Sequence, residues 1–362
     1  MRVLVVNAGS SSVKLSLLDD HDALLGATDL DVERSAIDPD ALAGALSGLP
    51  APDAVGHRVV HGGERFRAAV KIDSGIESAL RELIDLAPLH QPKSLAALDA
   101  VSAVLPGVPA VACFDTAFHA TLPAAAATYA LPARWRARFG LRRYGFHGLS
   151  HAYAARRAAE ILDRTELRLV SCHLGAGASL AAVRNGLSVD TTMGFTPLEG
   201  LVMATRSGSV DPGLLLWLLE REAVSERELA ELLEHESGLL GIAGTADMRE
   251  VIAGAGAAQP DSRLALDVYL HRLRAMIAAM AASLGGLDAL LFTGGVGENS
   301  PQVRAEAVEG LRFLGLELDA DRNQAVQGDA EVGTGRSRAA ILVVNAREDL
   351  EIAAQVRALL RG

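Results

Sequence analysis

The sequence predicts an α/β fold made of two related halves, on the strength of three stretches. Residues 3–18 read VLVVNAGSSSVKLSLL: a valine-rich apolar run, a small polar loop, then a run in which Val13, Leu15 and Leu17 alternate with Lys14 and Ser16. The first run has the composition of a buried strand, and the second has the two-residue period of a strand with one wet face. Residues 169–183, LVSCHLGAGASLAAV, repeat the layout of strand, small-residue loop and strand. Residues 290–300, LLFTGGVGENS, put a glycine-rich loop after another apolar strand, and residues 301–314 continue with helical spacing. Together these units suit two α/β halves facing one nucleotide.

Composition narrows the class. The 362 residues are half apolar, enough for two domains and a sizeable core. A net charge of −11 and 4% aromatic residues argue against a stacking surface for nucleic acid. No basic segment followed by an apolar signal-like run opens the chain, and the apolar stretch at 275–287 is too short and broken to span a bilayer. Cys113 and Cys172 sit in apolar strand-like runs, so buried thiols and a cytoplasmic location are expected. Of 34 basic residues only Lys14, Lys71 and Lys93 are lysines; none follows a glycine, which removes the P-loop. Neither Gly175-x-Gly177 nor Gly295-x-Gly297 gains the third glycine of a dinucleotide fingerprint.

Taken in order, the loop at 7–12 (NAGSSS) is either a serine-rich surface turn or an anion seat lined by backbone and hydroxyl donors, with Lys14 leaning over it. Residues 29–49 predict a linking strand and a short helix. Residues 54–63 predict a strand running into a glycine loop that presents Arg58, Val60 and His61. His57 and His61 have the spacing of a helical metal pair, but the valines between them and the flanking glycines favour a strand, so no metal is assigned there. Helices are predicted over 76–86, ending before Pro88, and over 94–104. The strand at 109–114 delivers Asp115 at its carboxyl end, where ligands gather in open α/β sheets; Asp115 is a ligand-facing carboxylate or a helix cap, and Thr116 and His119 after it favour the ligand. Residues 141–151 (LRRYGFHGLSH) are dense in cations and imidazoles, with Ser150 expected to cap a helix over 151–162. Residues 188–200 end in a rigid loop, and residues 201–208 bring Arg206 into small and apolar company, where it needs an anion. Two helices are expected over 214–239, a turn into a helix at 241–249, and a long alanine-rich helix over 264–284. The chain closes with a strand at 340–344, an acidic loop at 345–349 and a final helix.

Facing glycine and serine loops suit phosphates, carboxylates at strand ends (Asp115, Glu348) suit Mg²⁺ held partly through water, and Arg58, Arg142, Arg206 and His147 supply positive charge. No strong base stands out, which points to an acceptor that is already anionic, such as a carboxylate.

At this point the chain resembles the acetate kinase family, of the acetate and sugar kinase, heat-shock chaperone and actin superfamily. The resemblance covers nearly the whole chain. It rests on NAGSSSVK at 7–14, HRVVHGG at 57–63, FDTAFH at 114–119, YGFHG at 144–148, HLG at 173–175, GFTPLEGL at 194–201, TRSG at 205–208 and TGGVGEN at 293–299. It implies two duplicated actin-like (ribonuclease H-like) α/β domains with an active-site cleft between them. The first would comprise residues 1–118 plus 349–362 and hold the acyl substrate and phosphate. The second, 119–348, would bind nucleotide and form a homodimer.

The same resemblance implies reversible in-line phosphoryl transfer between ATP and acetate, giving acetyl phosphate and ADP on a route to acetyl-CoA, with Mg²⁺ or Mn²⁺ as the ion. Asn7 and Glu348 would hold the metal, and Asp115, His147 and Arg206 would be catalytic. Arg58, Val60, Leu89, Phe146 and Pro197 would hold the acid, the last four around its methyl group. Nucleotide would meet Ser10, Ser12, Lys14, His173, Leu174, Gly175, Ala176, Gly177, Asp247, Met248, Arg249, Gly295, Val296, Gly297, Glu298 and Asn299. The chain departs from the family pattern at Ala176, where asparagine is usual, at Gln91, at Ala204 and in the 345–349 loop. Alternatives are a propionate or butyrate kinase with a wider pocket, and an actin-like nucleotide switch. No nucleic acid and no membrane are expected as partners.

Overall fold

The computed structural model describes residues 1–9, 12–31, 39–86, 91–221 and 224–361. They fall into two compact units: Met1–Ala120 with Phe146–Tyr153 and Arg347–Gly362, and Thr121–Gly145 with Ala154–Ala346. The first unit holds β1 (Val3–Ala8), β2 (Ser12–Leu18), β3 (Leu24–Asp31), β4 (Ala54–Val59), β5 (Val70–Lys71) and β6 (Ala110–Phe114), ordered β3-β2-β1-β4-β6-β5. The second holds β7 (Arg168–Leu174), β8 (Ala178–Arg184), β9 (Leu187–Thr191), β10 (Ala289–Thr293), β11 (Ala330–Glu331) and β12 (Ala340–Val343), ordered β9-β8-β7-β10-β12-β11. The two orders are the same once numbered from each unit's first strand. So are the senses: an antiparallel triple, two parallel strands, then a short antiparallel edge. The echo between residues 3–18 and 169–183 is therefore a duplicated sheet.

β1 is buried on both faces, which is why its sequence runs apolar without alternation. Leu4 and Val6 pack with Leu42, Ala97 and Val101 from the helices Pro39–Ser47 and Gln91–Val104. Val3 and Val5 pack with Leu149 and with Ile352 and Val356 of the last helix, Glu348–Arg361. In the second unit the 25-residue helix Pro260–Leu284 starts with proline at its first turn, ends on left-handed Gly285, and covers β7, β8 and β9.

Several predicted boundaries move. The helix expected over 76–86 is Ser74–Arg81, capped by the Asp73 carboxylate accepting from the Ile76 amide at 2.8 Å, and it breaks into a tighter turn at Ile84–Leu86. The helix expected from 94 begins at Gln91, and the linking strand expected in 29–49 lies earlier, as β3. Ser150 does not cap its helix. That helix starts at Gly148, because His147 takes a left-handed φ of 56° and its carbonyl already accepts the His151 amide at 2.9 Å. Where two helices are expected over 214–239, the described residues carry three, Pro212–Arg221, Glu226–His235 and Gly238–Ala243; a Ser225–Glu228 capping box starts the second. The glycine loop expected after β10 is a short helix, Gly294–Asn299. The edge strands β5 and β11 and the hairpin strand β9 have no counterpart in the sequence reading.

Candidate active site

In the first unit, the carboxyl ends of three neighbouring strands carry one polar side chain each: Asn7 on β1, Arg58 on β4, and Asp115 just past β6. Arg58 Nη2 donates to Asp115 Oδ2 at 2.7 Å, its Nε donates to the same oxygen at 3.1 Å, and its Nη1 donates to Asn7 Oδ1 at 3.0 Å. Asn7 Nδ2 donates to Glu348 Oε2 at 2.8 Å, and that oxygen lies 3.9 Å from Arg58 Nη1. A bidentate guanidinium with charge-assisted bonds fixes geometry more firmly than a point charge does. Burial opposes the charge on Arg58, but the Asp115 and Glu348 carboxylates more than offset it, so the guanidinium is held above its ordinary range. Burial pushes the Asp115 carboxyl up, Arg58 pulls it back, and Glu348 adds to the upward push. The network thus gathers two carboxylates and an asparagine around one guanidinium in a site of restricted solvent access.

That donor set fits a hard divalent ion. Asn7, Asp115 and Glu348 offer only oxygens, and Mg²⁺ is commonly held by one or two carboxylates with water completing its shell. Among the described residues no group of three or more histidines, cysteines and acids gathers as a metal cage.

In the same unit the residue after His147 sits on Asp115. Gly148 donates its amide to the Asp115 carbonyl at 2.9 Å, and a Cβ on Gly148 would lie 2.1 Å from that oxygen. Only glycine allows the approach, and the left-handed His147 before it is backbone strain of the kind that persists where surroundings enforce it. Phe146 is buried with its ring edge-on to His61 at 5.5 Å, and Val60 is also buried. His119, whose place after Asp115 favours a ligand-facing Asp115, is itself a core residue: its Nε2 donates to the Phe146 carbonyl at 3.1 Å, and burial drops its pKa to about 4. Gln91 is buried too, with its amide bridging the His61 backbone. Lys14 is exposed on β2, paired in register with Asn7; Ser12 begins β2, and Ser10 and Leu89 lie outside the described residues.

In the second unit, Arg206 has the anionic partner its surroundings demand: its Nε lies 3.1 Å from Glu234, and its Nη1 donates to the Pro197 carbonyl at 3.3 Å. Burial pulls its guanidinium below the ordinary value, with Glu234 working against that. The loop carrying Pro197, itself buried, is braced by residues whose motif was visible but whose roles were not. Glu199 accepts from Arg143 at 2.7 Å and from the Tyr129 hydroxyl at 2.6 Å, while Arg143 also donates to the Thr192 and Met193 carbonyls. His173 and Leu174 end β7, and Gly175, Ala176 and Gly177 form the turn to β8, where the Gly175 amide bonds the Gly177 carbonyl and Ala176 is exposed. Asp247 caps the helix Met248–Gly256 and pairs with the exposed Arg249, whereas Met248 is buried. On the helix after β10, Gly295 and Asn299 are exposed, Val296 is half-buried, Gly297 is buried, and Glu298 points its carboxylate at backbone amides.

Residues 46–354 match the family described as the Acetokinase family. A protein named acetate kinase from Nostoc punctiforme is 50% identical over 313 residues, covering 86% of this chain and 77% of its own. Among solved structures, Porphyromonas gingivalis acetate kinase superposes with a TM-score of 0.91 at 36% identity, over 99% of both chains. A propionate kinase from Francisella tularensis does so with a TM-score of 0.91 at 35% identity, over 98% of both.

Proposed function

The chain belongs to the acetokinase family, and from that membership we propose that it transfers the γ-phosphoryl group of ATP to acetate, reversibly and in line, giving acetyl phosphate and ADP. The observation that carries the mechanism is the Asn7–Arg58–Asp115–Glu348 network at the ends of β1, β4 and β6. An acetate carboxylate is already a nucleophile, so positioning and charge neutralisation suffice. Arg58 holds the acid's carboxylate in exchange for part of its grip on Asp115, and Asp115 then orients the reacting groups. His147 and Arg206 donate to the equatorial oxygens of the migrating group, where charge is spread in the transition state. Asn7, Asp115 and Glu348 would hold Mg²⁺ or Mn²⁺, which would supply positive charge to neutralise the nucleotide's phosphates. Nucleotide is assigned to Ser10, Ser12 and Lys14, to residues 173–177 and 247–249, and to the helix Gly294–Asn299.

Val60, Leu89, Phe146 and Pro197 are assigned to the methyl group, and their bulk favours acetate over longer acids. Similarity to a propionate kinase keeps propionate as the second substrate to test. A homodimer is supported by the helix Pro212–Arg221, which carries Leu214, Leu215, Leu216, Trp217, Leu218 and Leu219 yet buries none of its residues. A second copy of the chain would cover that face. No helix among the described residues is long and apolar enough to cross a membrane; both cysteines are buried and free, which suits a reducing cytoplasm. The test is to trap acyl phosphate as a hydroxamate from ATP, Mg²⁺ and acetate, propionate or butyrate. Acetyl hydroxamate is expected. ATP hydrolysis with no hydroxamate would point to a nucleotide switch.

A further inference from the structure

The helix Gly294–Asn299 is one and a half turns long and rich in glycine, so its own backbone propensity cannot hold it. Two side chains clamp it. At its start, Glu298 Oε1 accepts from the Gly294 amide at 2.8 Å, placing a carboxylate against the helix N-terminus. At its end, the fully buried Arg304 donates to the Gly297 carbonyl at 2.8 Å and the Glu298 carbonyl at 2.7 Å. Arg304 is in turn held by the side-chain and backbone oxygens of Asn323. Glycine is required at the start of this helix, because the φ of Gly294 is 78° and a Cβ there would lie 2.8 Å from the Leu174 carbonyl oxygen.

Glu298 does a second job. The same Oε1 accepts from the Ala346 amide at 2.9 Å, two residues before Glu348 in the chain. The amide beside it, Asn345, is held by Asp329 at 2.9 Å, and Asp329 is anchored by Arg157. One oxygen thus joins the start of the helix assigned to nucleotide to the segment that leads into the residue assigned to the metal.

We propose that Glu298 is a positioning residue that couples the nucleotide seat to the metal site, and that it acts through backbone amides rather than by touching the nucleotide. The proposal rests on the acetokinase reading of the two sites. It differs from a direct nucleotide contact in what fails together. A contact to base or phosphate would be lost for nucleotides alone. A shared backbone tie weakens nucleotide and metal binding at once, and it does so regardless of the base.

The experiment uses the full chain with Glu298→Ala and Glu298→Gln. ADP and GDP affinities are measured by calorimetry at fixed Mg²⁺, and Mn²⁺ affinity by electron paramagnetic resonance of the free ion, with and without ADP. Glu298→Ala should weaken ADP and GDP by the same factor, on the order of tenfold for a lost charge-assisted bond, and should weaken Mn²⁺ binding in parallel. Glu298→Gln keeps an Oε1 acceptor and should restore most of both. Unchanged Mn²⁺ affinity beside weakened ADP, or a loss confined to one base, overturns the proposal. So does a glutamine variant that folds and binds no better than the alanine variant. If alanine prevents folding, the glutamine variant decides by the same two affinities. Hydroxamate formation by the parent chain is followed separately, so a failed coupling and a mistaken reaction remain distinguishable.

Discussion

At the scale of single residues, the two arginines assigned to the reaction have different surroundings. Arg58 is held by two carboxylates and an asparagine inside one unit, while Arg206 has Glu234 and a carbonyl for company in the other. Arg206→Ala should lower kcat by roughly two to four powers of ten, the scale of losing one or more strong transition-state donors. Arg58→Ala should show mainly as a raised KM for acetate. Steady-state kinetics on both variants checks this, and near-parent values would remove the arginines from the mechanism. Val60 is 7% exposed and next to the Arg58 strand end. Val60→Ala should open room for about one more carbon, and one methylene in an apolar pocket is worth about 1–3 kcal/mol. The ratio of kcat/KM for propionate to that for acetate should therefore rise by 10-fold or more, on the order given by that range. If both activities fall and the ratio stays put, Val60 is strand packing.

At the scale of elements, the site depends on how closely the turn at 146–148 sits on the end of β6. A methyl on Gly148 would meet the Asp115 carbonyl oxygen at 2.1 Å and the Phe118 Cβ at 2.9 Å, neither of which is the far end of a flexible side chain. Gly148→Ala must therefore move the backbone that carries both Asp115 and His147. Overpacking of this kind costs about 1–3 kcal/mol. The expected result is a clear drop in Tm with a larger relative loss of kcat; an unchanged kcat in a folded variant would detach this turn from the chemistry.

At the scale of the whole molecule, acid stability and self-association are the measurable consequences. His57 and His119 are both buried, and burial lowers each pKa to about 4 from an ordinary 6.5. The unfolded chain takes up these protons first as pH falls, so stability present above pH ~6.5 is lost progressively toward pH ~4, by at most roughly 3 kcal/mol per histidine. His57, whose two ring nitrogens have no hydrogen-bond partner, can be replaced with little polar penalty. Urea midpoints at pH 8, 6 and 5 should fall with pH in the parent and fall less steeply in His57→Leu. Equal slopes would assign the acid sensitivity elsewhere. For association, Trp217 is 48% exposed on the helix Pro212–Arg221. Trp217→Glu should convert a dimer to monomer by sedimentation velocity, with the far-ultraviolet dichroism of the parent; an unchanged sedimentation coefficient would move the interface to another face.

What the sequence determined by itself was whatever is local. Strand–loop–strand layouts at 3–18 and 169–183 are legible because side-chain period and turn composition act over a few residues, and the duplicated sheet follows from them. Asp115 and Glu348 stood out for the same reason, as carboxylates just past apolar runs, whereas the roles of Asn7 and Arg58 came from the family resemblance. Their assembly was not legible, since Asn7 meets Glu348 across 341 positions of chain and no local pattern carries that distance. Tertiary structure also decided which polar groups face inward. His119, four residues after Asp115, is buried and anchors the Phe146 carbonyl, and residues 294–299 look like a loop but coil into a helix. In both cases buried backbone groups must find partners, and the partner that wins (His119 for a carbonyl, Glu298 and Arg304 for two helix ends) is chosen by packing, which sequence spacing does not encode.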